Sequence, residues 1–474
     1  MQMMKCISTR GKVQPIITER AILEGLAPDR GLYIPQKFPE LPSYRTLREL
    51  SYPALCGRVL SPFFSLIREA ELIDAAEKAY ARFSAQPPVK LVKRESFSLL
   101  ELFHGPTLAF KDMALCLLPH LMRYAKKHLN SSSTHLLLTA TSGDTGKAAM
   151  EGFADVEGFE VIVFYPKGGV SPLQERQMLT QSSKNTTAIG LKGTFDDAQR
   201  GVKTMLSDPG FRIKLSERGI ELASANSINL GRLLAQLVYY VYASVHAEDI
   251  PLRFSVPTGN FGNVLSAHWA GKMGVPIEEL LVATNENDVL DIFFKTYHYD
   301  ARRKLILTNA LSMDILVSSN LERLLFETGG YKELQAAMHQ LENQRDFFWK
   351  KPIEGFSSGC ITEREVREEI SRVWRQEGFV LDPHTAIASA LLHKKEKRGI
   401  VVATASPFKF PRFVLESLAQ TPGRDPFEDI LLLSSKTSLP VPDAMQTLAE
   451  APITQDRVCT FEQMEQAVWE VLHV

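Results

Sequence analysis

From about residue 100 the chain repeats one unit: a short apolar run, a turn rich in glycine or small hydroxyl residues, then a helical segment. Leu136 to Thr139 runs into Ser142-Gly-Asp-Thr-Gly146, and Lys147 to Phe153 begins a helix. Glu160 to Tyr165 is a second strand, closed by Pro166. Thr186 to Leu191 is a third, followed by a helix over 196–206. Leu230 to Val245 is apolar almost all round, which predicts a well-buried helix. Leu252 to Val256 then ends in Pro257-Thr-Gly-Asn-Phe-Gly-Asn263, with a helix over 264–271. This alternation predicts parallel α/β layers, in which ligands gather at the carboxyl ends of the strands. The glycine-rich turns lie at those ends.

Further on, Glu279 to Ala283 and Gly399 to Ala403 read as strands, and Ile430 to Leu433 as one more. Residues 331–345 and 363–376 read as helices, as does the tail over 460–474. The first ninety-odd residues look different. A short strand, Gly31 to Pro35, precedes a helix within Glu71 to Ser84, and Pro87-Pro88 before the strand-like Val89 to Val92 marks a boundary. The expected division is an N-terminal domain over residues 1–95 and a region of two α/β subdomains over 96–474.

A formal net charge of -1 with 23% charged residues points away from nucleic acid and anionic membranes. No apolar stretch approaches the ~20 residues of a membrane helix. The first residues lack a signal peptide's apolar core. Five scattered cysteines form neither a disulfide framework nor a metal cluster, so a cytoplasmic setting is expected.

Chemistry centres on His104-Gly-Pro-Thr-Leu-Ala-Phe-Lys-Asp112. Burial would favour the neutral amine of Lys111, and that form attacks a carbonyl to make a Schiff base. An aldehyde cofactor such as pyridoxal phosphate (PLP) needs such a lysine, plus a phosphate cradle elsewhere. A surface lysine with its stem packed on apolar neighbours is the alternative. Gly259 to Asn263 has the form of a cradle, with backbone N–H groups exposed at a helix start, although a tight packing turn has the same composition. Ser142 to Lys147 fails as a nucleotide loop: only two residues separate Gly143 from Gly146, and Ala148 stands where Ser or Thr is needed. Its hydroxyls and N–H groups suit a small substrate's carboxylate. Thr404, Ser406 and Lys409 follow another strand, and a hydroxyl there could face a pyridine nitrogen or cap a helix. HExxH, CxxC, GxSxG and basic-aromatic patterns are all missing, which leaves metal hydrolase, serine hydrolase and nucleic-acid binder without support. His268 and His393 read as structural or exposed.

Longer matches resemble the threonine synthase family. They include Ser8-Thr-Arg-Gly11, Phe103 to Asp112, Thr141 to Gly146, Phe195-Asp-Asp-Ala-Gln199, and Asn226-Ser-Ile-Asn229 with Arg232. Pro257 to Asn263, Met313-Asp-Ile315, Ser318-Ser-Asn-Leu-Glu-Arg323 and Asp382-Pro-His-Thr-Ala386 continue the series, which reaches about residue 413. The form is that of the longer bacterial and fungal members. The resemblance implies a fold-type II PLP enzyme of the tryptophan synthase β class, with two open twisted α/β domains plus an N-terminal domain. Lys111 would hold the cofactor and act as the catalytic base. Gly259, Asn260, Phe261, Gly262 and Asn263 would bind its phosphate, and Thr404 would face its ring nitrogen. Ser142, Asp144 and Thr145 would receive the substrate's amino-acid end. Asn229, Arg232 and Lys409 are candidates for the substrate phosphate, where a guanidinium has bidentate geometry.

The implied reaction turns O-phospho-L-homoserine and water into L-threonine and phosphate, without a metal, in a monomer or homodimer. Two stretches depart from the family pattern. Arg30 stands where a second glycine is usual, and Ser406-Pro-Phe-Lys-Phe410 replaces the usual His-Pro-Ala-Lys-Phe. Ser406 would remove an acid-base or phosphate contact close to the cofactor, and would be silent if that position only packs. Three other readings remain: a phospholyase giving 2-oxobutyrate, a serine/threonine dehydratase, and a catalytically silent PLP-binding protein. The long N-terminal unit and the Phe103 to Lys111 motif disfavour the dehydratase. Intact Lys111 and Gly259 to Asn263 argue against the silent protein.

Overall fold

Apolar runs separated by helices have no short way to pair antiparallel, so they stack in parallel register with helices on both faces. The larger sheet runs, edge to edge, Phe356–Cys360, Ile277–Thr284, Leu252–Pro257, Ile400–Ala403, Ser98–Glu101 and Lys90–Lys93. All are parallel except the last, which pairs antiparallel with its neighbour. The smaller sheet runs Val458–Cys459, Thr186–Leu191, Phe159–Pro166, Thr134–Ala140 and Ile220–Ala223, parallel throughout. The computed structural model describes residues 4–141, 143–248 and 251–473.

This is the expected class: two open α/β layers and an N-terminal unit. In that unit Lys5–Ser8 pairs antiparallel with Ile16–Ile17 on one side and Tyr33–Pro35 on the other. The helices Tyr52–Leu60 and Glu69–Tyr80 follow. Their apolar faces do not close on themselves. Leu55, Val59, Leu72 and Tyr80 share one buried cluster with Leu233, Leu237 and Tyr240 of the helix Leu230–His246. The Tyr80 hydroxyl also donates to the Met113 carbonyl at 2.8 Å, beside the helix Lys111–Leu115. The helix Leu230–His246 therefore has no polar face because every side of it meets protein.

Two readings change. Ile430 to Leu433 is not a strand but part of the helix Pro426–Thr437, whose start Asp425 caps by accepting from Phe427 N at 2.8 Å and Glu428 N at 3.0 Å. Ile430 and Leu433 are buried while Leu431 is 65% exposed, a helical and not an alternating pattern. A four-residue apolar run carries too little period to tell the two apart. The helix expected at Tyr331 begins earlier, as Leu321–Gln344, and Gly330 breaks its dihedrals in the middle (φ 67°, ψ -170°). The terminal helix is Met464–Leu472, and it packs Met464 and Val468 against Ile162, Phe164 and Phe211 of the smaller sheet's core. No described helix is long and apolar enough to cross a membrane.

One contact positions the site. A Cβ built on Gly152 would lie 2.1 Å from the Leu115 carbonyl oxygen, so the helices Lys111–Leu115 and Asp144–Gly152 touch backbone to side face there. Gly152→Ala must push them apart. The expected loss is about 1–3 kcal/mol of stability, read as a lower Tm in thermal denaturation; an unchanged Tm would contradict this packing.

Candidate active site

The segment before Lys111 is fastened along the end of a strand in the larger sheet. Phe110 N donates to the Thr404 carbonyl at 2.8 Å, and Ser406 N donates to the Leu108 carbonyl at 3.0 Å. Leu108 accepts a positive φ of 59° to make this turn. Asp112 folds back on it, taking Thr107 N at 2.8 Å and Thr107 Oγ1 at 2.5 Å, in space that only a glycine at 105 leaves open. Burial pushes the Asp112 carboxyl up to about 6, against those bonds and the nearby Lys409.

These anchors aim Lys111 at a carboxylate from the other sheet. Its Nζ lies 3.0 Å from Ser312 Oγ and 3.6 Å from Asp144 Oδ2. Asp144 opens the helix Asp144–Gly152 after the strand Thr134–Ala140. It also accepts from Ser312 Oγ at 3.0 Å and Gln174 Nε2 at 2.8 Å, and pairs with Lys409 Nζ at 3.0 Å. Burial alone would raise the Asp144 carboxyl, but Lys409 and then Lys111 outweigh it and hold the group well below the usual carboxylate range. Burial lowers the Lys111 amine, with Arg232 and Lys409 pulling the same way and Asp144 opposing them. The result is a buried cluster of two lysines around one ionised aspartate. Lys409 is fixed at its other side by the Thr107 carbonyl at 2.8 Å.

Arg232 sits in the first turn of the helix Leu230–His246, and burial lowers its guanidinium to about 10. Its Nη1 donates to the Ala225 carbonyl at 3.0 Å, while its Nε is buried without a hydrogen-bond partner among the described residues. A buried guanidinium left under-paired is a strong attractor for an anion. Asn229, expected beside it as a phosphate contact, does something else. Its Nδ2 donates to the Ile22 carbonyl at 2.9 Å and the Ser224 carbonyl at 2.6 Å, and its Oδ1 accepts from Gly231 N at 2.8 Å. Both amide hydrogens are taken, so Asn229 caps the helix and has no donor left for a substrate.

In the loop from Gly259 to Asn263, Phe261 takes a left-handed φ of 64° and the helix Gly262–Lys272 begins immediately after it. The first N–H groups of that helix have no partner within it. Phe261 contributes main chain only, because its ring is buried between Phe294 and Phe356 at centroid distances of 5.8 and 5.9 Å. Asn263 Oδ1 accepts from the Tyr239 and Tyr240 hydroxyls at 2.6 and 2.7 Å. Its Nδ2 is buried without a partner among the described residues. A Cβ on Gly259 would meet the Ser312 carbonyl oxygen at 2.9 Å, and this close approach lets Ser312 reach Lys111.

Thr404 is buried at the strand end, its N–H held by Thr385 Oγ1 at 3.2 Å. Ser406 Oγ accepts from Phe408 N at 3.3 Å, so this hydroxyl caps the turn Pro407–Lys409. Thr145 is half-buried in the first turn of the helix Asp144–Gly152, and Ser142 lies outside the described residues. Three further groups join the site without having been singled out. Ser312 and Gln174 lie far from the glycine-rich turns in sequence and carry no local pattern. His384 belongs to a matched motif; its Nδ1 lies 3.0 Å from Asp382 Oδ1, and its Nε2 is buried without a described partner.

The charges predict a pH response. Because only the neutral amine attacks an aldehyde, reductive alkylation of Lys111 should reach its midpoint below the ordinary lysine range. Asp144→Asn removes the charge that props the amine up, and should move that midpoint further down, as followed by peptide mass mapping of Lys111 against pH. A midpoint that stayed in place would mean the two groups are not electrostatically coupled.

Comparison with known proteins identifies the family. Residues 5–80 match the family model "Threonine synthase N terminus". The chain is 38% identical over 438 residues to threonine synthase of Pseudomonas aeruginosa, covering 87% of this chain and 90% of that one. It is 34% identical over 460 residues to the Saccharomyces cerevisiae threonine synthase, covering 87% and 88%. Its structure superposes on PLP-bound threonine synthase from Brucella melitensis with a TM-score of 0.89 and 35% identity, over 99% of this chain and 100% of that one. A chain with this cluster, this loop and this breadth of identity belongs to the threonine synthase family.

Proposed function

We propose that the chain converts O-phospho-L-homoserine and water to L-threonine and phosphate, with PLP held by Lys111 and by the loop Gly259 to Asn263. The observation that carries this reading is the juxtaposition of a buried, depressed amine with an under-paired buried guanidinium. One suits an aldehyde, the other a phosphate. The N–H groups at the helix start Gly262, which have no partner within the helix, and the unpartnered Asn263 Nδ2 suit the cofactor's own phosphate. Thr404 is assigned to the ring nitrogen, since the Phe110–Thr404 bond keeps it one residue from Lys111 across the chain.

When bound, PLP supplies an electron sink for carbanions beside the substrate's amino group. Lys111 would hold the cofactor aldehyde; as a free amine it takes the proton from the substrate's α-carbon, gives it up, and then takes one from the β-carbon. Breaking the γ-carbon–oxygen bond releases phosphate, held by Arg232. A proton returns to the γ-carbon, the hydroxyl of water adds to the β-carbon, and the two remaining protons go back to the α-carbon and to the released phosphate. Asp144 stays ionised throughout and keeps Lys111 and Lys409 in place, while Ser142 and Thr145 receive the substrate carboxylate. Lys409 has two of its three N–H directions fixed, which leaves one for an oxygen of the substrate. The same reading takes residues 1–95 as the N-terminal domain and 96–474 as the catalytic region. It has the protein working as a monomer or homodimer in the reducing cytoplasm, where its five cysteines stay unpaired.

Product analysis of PLP-loaded protein with O-phospho-L-homoserine tests the reaction. Threonine with equimolar phosphate is expected; phosphate with 2-oxobutyrate would make the protein a phospholyase instead. Lys111→Ala should abolish turnover and retain the fold by circular dichroism. Arg232→Met should raise KM by roughly 10- to 100-fold, the value of one hydrogen-bonded charge, with a smaller change in kcat. An unaltered KM would remove Arg232 from the phosphate.

A further inference from the structure

Arg323 is fully buried, yet no carboxylate hydrogen-bonds its guanidinium among the described residues. Burial draws it down to about 9, opposed chiefly by Glu322. Its three donors go to three separate parts of the chain. Nε donates to the Tyr33 carbonyl of the N-terminal sheet at 2.9 Å, Nη2 to the Ile228 carbonyl at 2.6 Å, and Nη1 to Asn320 Oδ1. Ile228 stands just before the helix that carries Arg232. Burying a cation among neutral acceptors is unfavourable, and an apolar side chain would fill the space more cheaply. What only a guanidinium provides is a rigid fork of fixed directions.

That fork ends on the glycine loop. Asn320 is itself fully buried, and its Nδ2 donates to the Asn260 carbonyl at 3.0 Å and the Ser227 carbonyl at 3.2 Å. Asn320 N reaches the same Asn260 carbonyl at 3.1 Å. Ser318 Oγ donates to the Gly259 carbonyl at 2.7 Å. A peptide unit is planar and trans, so fixing a carbonyl oxygen fixes the next residue's N–H in the opposite direction. The Gly259 carbonyl thereby aims the N–H of Asn260, and the Asn260 carbonyl aims the N–H of Phe261. Both turn away from the 318–323 segment. The left-handed Phe261, a conformation that costs about 1–3 kcal/mol in a non-glycine residue, is held by the same bonds.

We infer that Arg323, acting through Asn320, is a positioning residue: it couples the N-terminal domain to the loop and aims the N–H groups that receive the cofactor phosphate. Ser318 completes the arrangement on the preceding peptide. This rests on the reading of Gly259 to Asn263 as a phosphate loop, so the test separates the two. Apoprotein is titrated with PLP and with pyridoxal, which lacks the phosphate, and the ratio of the two Kd values is the readout. The wild type should strongly prefer PLP. Arg323→Lys should cut that ratio roughly tenfold while pyridoxal affinity holds, because the loss falls on phosphate contacts alone. Ser318→Ala, a smaller change if the lysine variant folds poorly, should cut it severalfold, and the 31P resonance of bound PLP should shift in both. A purely structural role would lower Tm and weaken both ligands alike, leaving the ratio unchanged; that result overturns the inference. A wild type without preference for PLP would overturn the phosphate-loop reading itself, and this inference with it.

Discussion

The site depends on one carboxylate placed between two cations. Asp144 arrives from the smaller sheet, while Lys111 and Lys409 both follow from the larger one, so the pairing that sets their charges also holds the two layers at a fixed distance. Neither lysine is tolerable there without it. Two ammonium groups buried side by side would repel and lose their hydration, and the aspartate alone would be protonated by burial. Arg232 adds a further positive charge close to Lys111. Such a field favours a substrate bearing both a carboxylate and a phosphate.

The N-terminal unit is usually the part of such a chain that looks separable. Here its helices have no core of their own, since their apolar faces close on the helix Leu230–His246 and on the segment behind Lys111. The backbone of Tyr33 is also one of the three acceptors of Arg323. Thr9 Oγ1 adds a bond of 2.5 Å to Glu322 in the same helix. The first eighty residues therefore bear on both ends of the site: the lysine through packing, and the glycine loop through hydrogen bonds.

Ser406 stands where the resemblance led to the expectation of a histidine. A histidine at that place would bring a second titratable ring close to the cluster. The serine hydroxyl instead caps its own turn and is fully buried in that task. His384, in the first turn of the helix Pro383–Lys394 and tilted against the Phe410 ring at 5.1 Å, is an imidazole that this site does contain. Its Nε2 has no described partner, so it retains the capacity to bond a ligand group.

Much of this was legible in the order of residues. Strand and helix periods are local, so the alternation of Leu136–Thr139 with 147–153, or of Leu252–Val256 with 264–271, announced the α/β layers and the turns where ligands gather. Lys111, Asp144, Arg232 and the loop Gly259 to Asn263 were identifiable because their neighbours form contiguous motifs. What each does was less accessible. Asn229 and Arg232 sit three residues apart in one motif, yet the first is consumed by capping and only the second keeps an unmet donor. Phe261 belongs to the loop in sequence, but its ring leaves it for the core. The two-residue strand Val458–Cys459 has no period at all, and exists because Gly190 and Leu191 offer an open edge. Sequence alone determined the class of the longer elements and the chemical groups available, since those follow from side-chain type and short-range spacing, whereas a run as short as Ile430 to Leu433 is misread. Tertiary structure decided which donors remain unpaired, which charges meet, and how Tyr33, Ile228 and Asn260 come to share one arginine, because such contacts join residues that only the folded chain brings within hydrogen-bond reach.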